Sequence, residues 1–287
     1  MLLNDVIQVI ERTAPLSLMA DWDHSGVQVA SLRQDVTRLA VCLDPLPGQI
    51  RAALEAGADM VLAHHPLSLH PQWTDAVNDY TNALRLLYAA DVPLYSCHTS
   101  LDANPLGPSA WLPDELGLVN RCILEETGTF RTPDGREIKG GFGCAGDLPE
   151  AMGFAELFAR LSRLLPLESM CRQCRLVGGA PATVRRVAVC TGSGASLFRE
   201  AMAAGADLFI TGDAKYHDSL ELSSARAGYA NARGMALLDV GHFSLEEEMM
   251  RRFAEQLKNS LQGVDVFFLP GRDPFQSLTF ISATTEV

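Results

Sequence analysis

The sequence predicts an α/β protein made of two similar halves, with one site packed between them. Short apolar runs alternate with amphipathic stretches that end in glycine, which is the pattern of a largely parallel sheet with crossover helices. Short words of sequence recur between the two ends of the chain and indicate an internal repeat. We expect one compact unit: a first half at 1–105, a connecting region with a hairpin and an amphipathic helix at 106–180, and a second half at 181–287.

The first half contains a predicted βαβαβ series. Asn4 is placed to cap an initial helix, and the polar turn in DWDHSGVQVA leads into a short strand. Gly57 is a natural C-terminal end for the helix predicted at 48–56. The elements of the series are a strand at 39–43, a helix at 48–56, a strand at 60–63, a helix at 77–90 and a strand at 93–97.

The rest of the chain has fewer clear signals. TPDG at 132–135 predicts a turn between two short strands, and 154–165 has the apolar stripe of a core-facing helix. The glycine runs GGFGCAG and TGSGAS could approach phosphate, but neither matches GxGxxG or the P-loop pattern, so tight turns are favoured. The last strands are expected at 265–269 and 278–281.

The internal repeat is carried by matched words in the two halves. Each pair follows the same order along the chain, and the last pair matches His-x-Ser-Leu-acid after an apolar strand. The pairs are AVC at 40–42 and 188–190, AGADM at 56–60 and AGADL at 204–208, and HTSLD at 98–102 and HFSLE at 242–246. Any two α/β units share strands and glycine-ended helices, but these identities favour two related halves.

The composition limits the classes of function. The 287 residues are 47% hydrophobic and carry a net charge of −12, with an isoelectric point near 5.0. This acidity disfavours nucleic acid and anionic membranes as partners. The N-terminus does not read as a signal peptide, and no apolar stretch is long enough to cross a bilayer. We therefore expect a soluble protein of the cytoplasm with no membrane partner.

The cysteines predict no metal or disulfide framework. Seven cysteines scattered over a long chain suit a reducing compartment. Cys171 and Cys174 form a lone CxxC, whereas a zinc site would need a second pair and a redox pair would open a helix after a strand. Structural thiols are the favoured interpretation.

Histidines mark the ends of the predicted strands. In VLAHHPL, residues 61–67, a buried strand runs into His64 and His65, and Pro66 stops it. Adjacent histidines also occur in solvated turns or as hydrogen-bonded pairs. His98 and His242 follow two further strands, however, and strand carboxyl ends form the ligand crevice of an α/β sheet. This convergence favours a metal site.

Carboxylates accompany two of these histidines at helical spacing. Asp102 lies four residues after His98, and Glu246 lies four residues after His242, so each pair can share one helix face. Imidazole and carboxylate ligands without thiolate suit Zn, Mn, Fe, Co or Ni. At least five such ligands exceed what one tetrahedral ion needs, whereas two ions about 3.5–4 Å apart would use them all. Glu246, with its extra methylene, is the better candidate to bridge both ions.

Other polar residues have more than one interpretation. His98 could be a ligand, a donor to a ligand or a proton carrier, and we favour a non-ligand, catalytic role. Asp213 and His217 follow the strand at 208–211 and are further catalytic candidates, although the same pattern is typical of a helix N-terminus. Asp44 is a weaker candidate to orient a ligand.

Five stretches together resemble the Nif-three-like dinuclear-metal proteins, the type-2 GTP cyclohydrolase I homologues. They are WDHSGVQV, LAHHPL, CHTSLDA, TGDAKYHD and DVGHFSLEE. The resemblance implies a two-metal centre between two α/β halves and a toroidal homohexamer with its sites facing the interior. The metal ligands that it implies, with Glu246 as the bridge, are His64, His65, Asp102, His242 and Glu246. His24 stands where the family usually has Asn, and is either an extra pocket imidazole or a surface substitution.

Two classes of function follow. The resemblance implies a metal-dependent hydrolase that acts on a small molecule, a nucleotide or related heterocycle, in the manner of a GTP cyclohydrolase. The alternative is a non-catalytic metal-binding, metal-handling or regulatory protein. Lys215 and the pair Arg185 and Arg186 are scattered and do not form an evident triphosphate cradle.

Overall fold

The computed structural model describes residues 1–132, 134–165, 174–228 and 234–275. The helices are α1 (Leu3–Thr13), α2 (Pro47–Glu55), α3 (Asp79–Ala90), α4 (Thr99–Asp102), α5 (Trp111–Glu115), α6 (Phe154–Leu164), α7 (Phe198–Ala203), α8 (Tyr216–Gly228) and α9 (His242–Ser260). The strands are β1 (Gly26–Val29), β2 (Arg38–Cys42), β3 (Met60–Ala63), β4 (Leu94–Ser96), β5 (Val119–Arg131), β6 (Glu137–Met152), β7 (Arg175–Val177), β8 (Val184–Val189), β9 (Leu208–Thr211), β10 (Ala236–Asp239) and β11 (Asp265–Phe268).

The strands form two mixed sheets. The five-stranded sheet has the order β1-β4-β3-β2-β11, and all its strands are parallel except β1 at one edge. The six-stranded sheet has the order β5-β6-β8-β9-β10-β7, with β8, β9 and β10 parallel to one another. The predicted α/β class is confirmed. The first sheet contains four consecutive parallel strands and the second contains three, which is consistent with the predicted repeat.

The two sheets share one core with the long helix α9. The side chains of this core come from β2 and β3 in one sheet, from β8, β9 and β10 in the other, and from α9. A second apolar cluster packs α2 and α3 on the first sheet, and a third packs α7 on the second. The parallel strands of both sheets are thus covered on both faces, which explains their continuous apolar sequences.

The sheets cross the bounds predicted for the three parts. The hairpin of β5 and β6 comes from the connecting region but extends the six-stranded sheet. Conversely, β11 comes from the second half but pairs with β2 in the first sheet. The division at residues 105 and 180 stays a prediction, and the pairing of β11 with β2 joins the end of the second half to the first sheet.

The hairpin strands are much longer than the sequence predicts. The two short strands expected around the 132–135 turn are wrong in length, because β5 has 13 residues and β6 has 16. Most of β5 is exposed, so its side chains lack the apolar alternation that would reveal a strand. Irregular pairing, including a shift between Glu126 and Gly128, further blurs the pattern.

The start of α1 also differs from its prediction. Asn4 lies inside the helix, and the N-cap is Leu2, which has no side-chain capping bond. The backbone N–H of Leu3 instead donates to the carbonyl of Gln34, so pairing with a distant segment sets the helix start. By contrast, Asn78 caps α3 in a reciprocal capping box with Thr81.

None of the helices among the described residues is long and apolar enough to cross a membrane. The strand predicted at 278–281 lies outside the described residues. So does Cys171 of the CxxC pair, whereas Cys174 lies just before β7.

Packing between the sheets predicts a large loss of stability when a buried side chain of β3 is shortened. Leu62 is fully buried in the shared core, so Leu62→Ala should lower the free energy of unfolding by about 3 kcal/mol. Leu32 is 87% exposed, and Leu32→Ala should change it by less than about 0.5 kcal/mol. Urea denaturation of both variants measures the difference, and equal losses would contradict the packing described.

Candidate metal centre

The carboxyl ends of strands from both sheets meet at one point. His64 and His65 follow β3, and His98 follows β4 after one intervening residue. From the other sheet, β10 leads through a short turn to His242, the first residue of α9. The structure therefore brings together the histidines that the sequence placed at strand ends.

Glu246 lies at the centre of this cluster. Its Oε2 atom is 2.7 Å from Nε2 of His242 and 3.1 Å from Nε2 of His65. Its Oε1 atom is 3.6 Å from Nε2 of His64, and the same His64 nitrogen is 3.7 Å from Oδ1 of Asp102. The two oxygens of one carboxylate thus face different sets of ligands, as a bridging group would.

The donor atoms have the spacing of a metal site. One ligand atom from each of His64, His65 and His98 lies within 4.8 Å of the others, and the same holds for His65, His242 and Glu246. Neither ring nitrogen of His64 has a hydrogen-bond partner among the described residues, and neither does Oδ1 of Asp102. Buried polar atoms are normally paired, so these orphaned atoms fit a group that bonds them directly, such as a divalent cation.

Three of the imidazoles are held by carboxylates through their Nδ1 atoms. His65 is paired with Asp44, His98 with Asp23, and His242 with Asp213, each at 2.7 Å. Metal-binding histidines commonly donate their second ring nitrogen in this way, which fixes the tautomer and the ring orientation. The arrangement leaves Nε2 of each ring to face the cluster.

The turn that carries Asp213 is built around Asp239. The carboxylate of Asp239 is buried and accepts hydrogen bonds from the backbone N–H groups of Ala214 and Gly241 and from Arg175. Asp213 itself has φ +53°, a left-handed conformation that Asp tolerates better than most residues. Asp239 therefore fixes the loop after β9 and the entry to α9 relative to each other.

Two glycines allow the close approach of the second sheet. A Cβ at Gly192, whose φ is +63°, would lie 2.0 Å from Oε1 of Glu246. A Cβ at Gly212 would lie 2.6 Å from the backbone of His242. These glycines belong to turns, as the sequence indicates for TGSGAS, and a side chain at either position would displace the cluster.

Burial and charge set the protonation of the cluster. Burial lowers the pKa of His64 to about 4, so this ring is neutral at pH 7. Burial also lowers the pKa values of His65 and His242, but hydrogen bonds and charge from Asp44 and Glu246 at His65, and from Glu246 and Asp213 at His242, outweigh it and raise these pKa values to about 10 and about 9. Burial raises the pKa of Asp102 well above its ordinary value, with the Glu246 charge adding to it. For Glu246 burial also raises the pKa, but the surrounding imidazoles outweigh it and hold the pKa well below its usual range.

Two cavities of different character flank the cluster. One, of about 700 Å³, is lined by His65 and His242 together with four aspartates and one arginine, Arg175. The other, of about 270 Å³, touches Asp102 and is walled mainly by apolar residues and cysteines from the hairpin and from the segment before α5. The cluster is therefore accessible from an acidic side and from a largely apolar side.

The remaining predicted residues are placed as follows. Asp213 orients His242, and Asp44, the weaker candidate, orients His65. His217 is exposed in the first turn of α8 and contacts the ring of Tyr216 at 5.5 Å, so its catalytic role stays a prediction. His24 is also exposed, which favours the surface interpretation over a pocket imidazole.

Sequence reasoning missed Asp23 as a residue of the site. Its side chain is fully buried beside His98, and it accepts hydrogen bonds from Ser25 and Thr99 as well. Burial raises its pKa, but the hydrogen bonds and charge of His98 together with Thr99 outweigh burial and hold the pKa well below its usual range. The available signal was an acid in a polar turn directly before a strand, which is also typical of a surface loop.

Known proteins resemble this chain over nearly its whole length. The family model Duf34/NIF3 (NGG1p interacting factor 3) matches residues 1–274. The GTP cyclohydrolase 1 type 2 homolog of Clostridium perfringens is 29% identical over 280 residues, covering 96% of this chain and 99% of the relative. The protein of the same name from Streptomyces coelicolor is 33% identical over 257 residues, covering 89% and 85%. The crystal structure of Staphylococcus aureus protein SA1388 superposes with a TM-score of 0.79 at 25% identity, covering 97% of this chain and 99% of that one.

Fold and site together define an α/β protein with two mixed sheets and a cluster of imidazoles and carboxylates where their strands end. The chain belongs to the Duf34/NIF3 family. The family resemblance expected from the five sequence stretches is thus confirmed over nearly the whole chain.

The raised pKa values predict that metal binding is strongly pH-dependent. At pH 7 the rings of His65 and His242 are protonated, and each must lose its proton to bind a cation. The apparent dissociation constant for Zn²⁺ or Mn²⁺ should therefore rise by about 10–100-fold when the pH falls from 7.5 to 6.5.

Calorimetric titrations in buffers of different ionisation enthalpy count the protons released. His70→Asn is a suitable control, because His70 is exposed in the loop after β3 and should leave the count unchanged. Binding that is independent of pH would contradict the assignment of these two rings.

Proposed function

We propose that the cluster binds two divalent cations between the halves of the protein. The observation that carries this proposal is the pair of orphaned buried groups, His64 and Asp102, facing a carboxylate that three imidazoles surround. One set of ligands would be His64, Asp102 and Oε1 of Glu246, and the other would be His65, His242 and Oε2 of Glu246. The chemistry of this donor set suits Zn, Mn, Fe, Co or Ni.

We further propose that the protein is a metal-dependent hydrolase. When bound, a pair of divalent cations supplies Lewis acidity and activates water at neutral pH. The chain's own contribution is to hold the ligand rings in one tautomer through Asp44 and Asp213, and to present Nε2 of His98 as the acceptor for the proton of the attacking water.

The substrate class that we propose is a nucleotide or a related heterocycle. The support is the name shared by the relatives from Clostridium perfringens and Streptomyces coelicolor, GTP cyclohydrolase 1 type 2 homolog. The largely apolar cavity beside Asp102 offers room for a planar organic group next to the cluster. A hydrolase of this kind would work in the cytoplasm.

A metal-handling role is the second candidate, and the acidic cavity favours it. Asp44, Asp213, Asp239 and Asp273 line this cavity, and its single arginine in the described part of the chain, Arg175, is paired with Asp239. Such a lining attracts cations and repels a triphosphate. A protein that takes up and releases metal ions needs this lining, whereas a nucleotide hydrolase would bring its substrate in through the other cavity.

Assembly into a homohexamer with the sites facing an interior cavity is also proposed. Large apolar side chains on the surface, including Trp73 and Val77 in the loop before α3, are 85% and 74% exposed. A contiguous apolar surface patch is typical of a contact between subunits, and Trp73 and Val77 lie four positions apart in this loop. Light scattering at several concentrations measures the assembly directly.

Removing the bridging carboxylate should abolish the two-ion site. Because Glu246 is assigned to both ions, Glu246→Gln should reduce the metal content from two ions per chain to one or none, whereas His242→Gln should mainly affect one ion. Elemental analysis and a titration of metal-depleted protein measure both numbers. Two ions bound by Glu246→Gln with unchanged affinity would rule out the bridge.

Turnover by the loaded protein decides between the two candidate functions. Protein loaded with Mn, Zn, Fe, Co or Ni is incubated with GTP, other nucleotides and bis(4-nitrophenyl) phosphate, and intact substrate is followed by chromatography. A hydrolase should exceed the His64→Ala, His65→Ala double variant by at least about 100-fold. Equal rates for the wild-type protein and the double variant, with every metal, would favour the metal-handling role.

A further inference from the structure

The contacts of Asp23 are unlike those of the other carboxylates that hold imidazoles. The side chain of Asp23 has no exposed surface, whereas those of Asp44 and Asp213 are 40% and 44% exposed. Its Oδ2 atom accepts from the hydroxyl of Ser25 at 2.7 Å, and from the backbone N–H and hydroxyl of Thr99 at 3.1 and 2.6 Å. Three donors on one buried oxygen fix the carboxylate on every side but one.

The remaining oxygen is directed at His98. Oδ1 of Asp23 lies 2.7 Å from Nδ1 of His98. An ionised carboxylate can only accept, so the hydrogen of this bond belongs to Nδ1 of the ring. The other nitrogen, Nε2, is then the one that faces His64 and His65, whose rings lie 5.3 and 5.5 Å from that of His98.

The loop that carries Asp23 is itself fastened to the strand end that carries His98. The hydroxyl of Thr99 accepts from the backbone N–H of Ala20 at 3.0 Å while it donates to Asp23. The hydrogen-bonding capacity of this hydroxyl is therefore used on both sides, and the loop cannot shift without breaking several bonds at once. The ring of Trp22 closes the outer side by an edge contact with His98 at 5.8 Å.

The predicted repeat provides an internal comparison. His98 and His242 occupy matched words of the two halves, and each follows a parallel strand and pairs its Nδ1 with an aspartate from another loop at 2.7 Å. Nε2 of His242 lies 2.7 Å from the carboxylate four residues later, Glu246. Among the described residues, His98 forms an ion pair with Asp23 and none with Asp102. The two equivalent histidines therefore have different surroundings.

We propose that Asp23 is a positioning residue that fixes His98 as an Nδ1–H tautomer with Nε2 directed at the cluster but outside the metal coordination. In this arrangement Nε2 accepts a proton from a group held at the cluster, and Asp23 stabilises the ring that results. The part of this inference that concerns proton transfer rests on the proposed function. The part that concerns tautomer and coordination does not.

Asp23→Asn tests the proposal, with Asp213→Asn as the matched control in the other half. An amide at position 23 can donate to Nδ1 and shift the ring proton to Nε2, as an aspartate-to-asparagine change does in a catalytic triad. Three quantities are measured in both variants. They are the dissociation constants for Mn²⁺ and Zn²⁺, the ¹⁵N signals of His98 in solid-state NMR of histidine-labelled protein, assigned by difference with His98→Gln, and turnover of bis(4-nitrophenyl) phosphate over pH.

Asp23→Asn should affect the His98 signals and turnover, whereas Asp213→Asn should affect metal binding. In Asp23→Asn, the Nδ1–H signal of His98 should disappear, turnover should fall by about 10²–10⁴-fold, and the pH dependence of turnover should change. Its dissociation constants for metal should change by less than about threefold. Asp213→Asn should weaken metal binding by about 10–100-fold and leave the His98 signals unchanged. His98→Gln should keep both ions.

Other results would overturn the proposal. If Asp23→Asn or His98→Gln weakens metal binding as much as Asp213→Asn does, His98 is a metal ligand. An Nδ1–H signature that survives in Asp23→Asn would remove the positioning role. If Asp23→Asn does not fold, the metal content of His98→Gln still decides coordination. Wild-type protein without turnover overturns the proposed hydrolase function, while the NMR and metal measurements judge the role of Asp23 separately.

Discussion

A carboxylate buried among imidazoles is the constraint on which the architecture of this protein depends. Glu246 is only 3% exposed, and an unpaired charge at that depth would be strongly unfavourable. Its partners come from both sheets, since His64 and His65 follow β3 and His242 opens α9. The sheets must therefore meet with their strand ends facing each other, and Gly192 and Gly212 keep the meeting point narrow.

The elements that sequence reasoning placed correctly are those whose local signals agree with their surroundings. Strand β3 is buried along its whole length, and Gly57 before it has φ +79°, so an apolar run after a glycine was a reliable pattern. The hairpin was harder, because most of β5 faces solvent and its pairing is irregular. The start of α1 is set by Gln34, a residue far along the chain that no local motif reveals.

The candidate site shows the same division. The spacing of His242 and Glu246 on one helix face, and the position of His64 and His65 after a strand, are local properties that the sequence displays directly. The partners of the imidazoles are different, because Asp23 reaches His98 across 75 residues and its role depends on where a loop is fastened. A motif shows which groups can act, but tertiary contacts decide which nitrogen each ring presents.

The position of β11 has a consequence for the order in which the protein is made. This strand completes the edge of the first sheet by pairing with β2, although it lies near the end of the chain. During synthesis, β2 has been translated long before its neighbour leaves the ribosome, so the backbone groups along one side of β2 stay exposed for most of translation. Pairing of β2 with β11 therefore waits until the chain has been made at least as far as Asp265, and a chain shortened before that residue would present an unprotected strand edge.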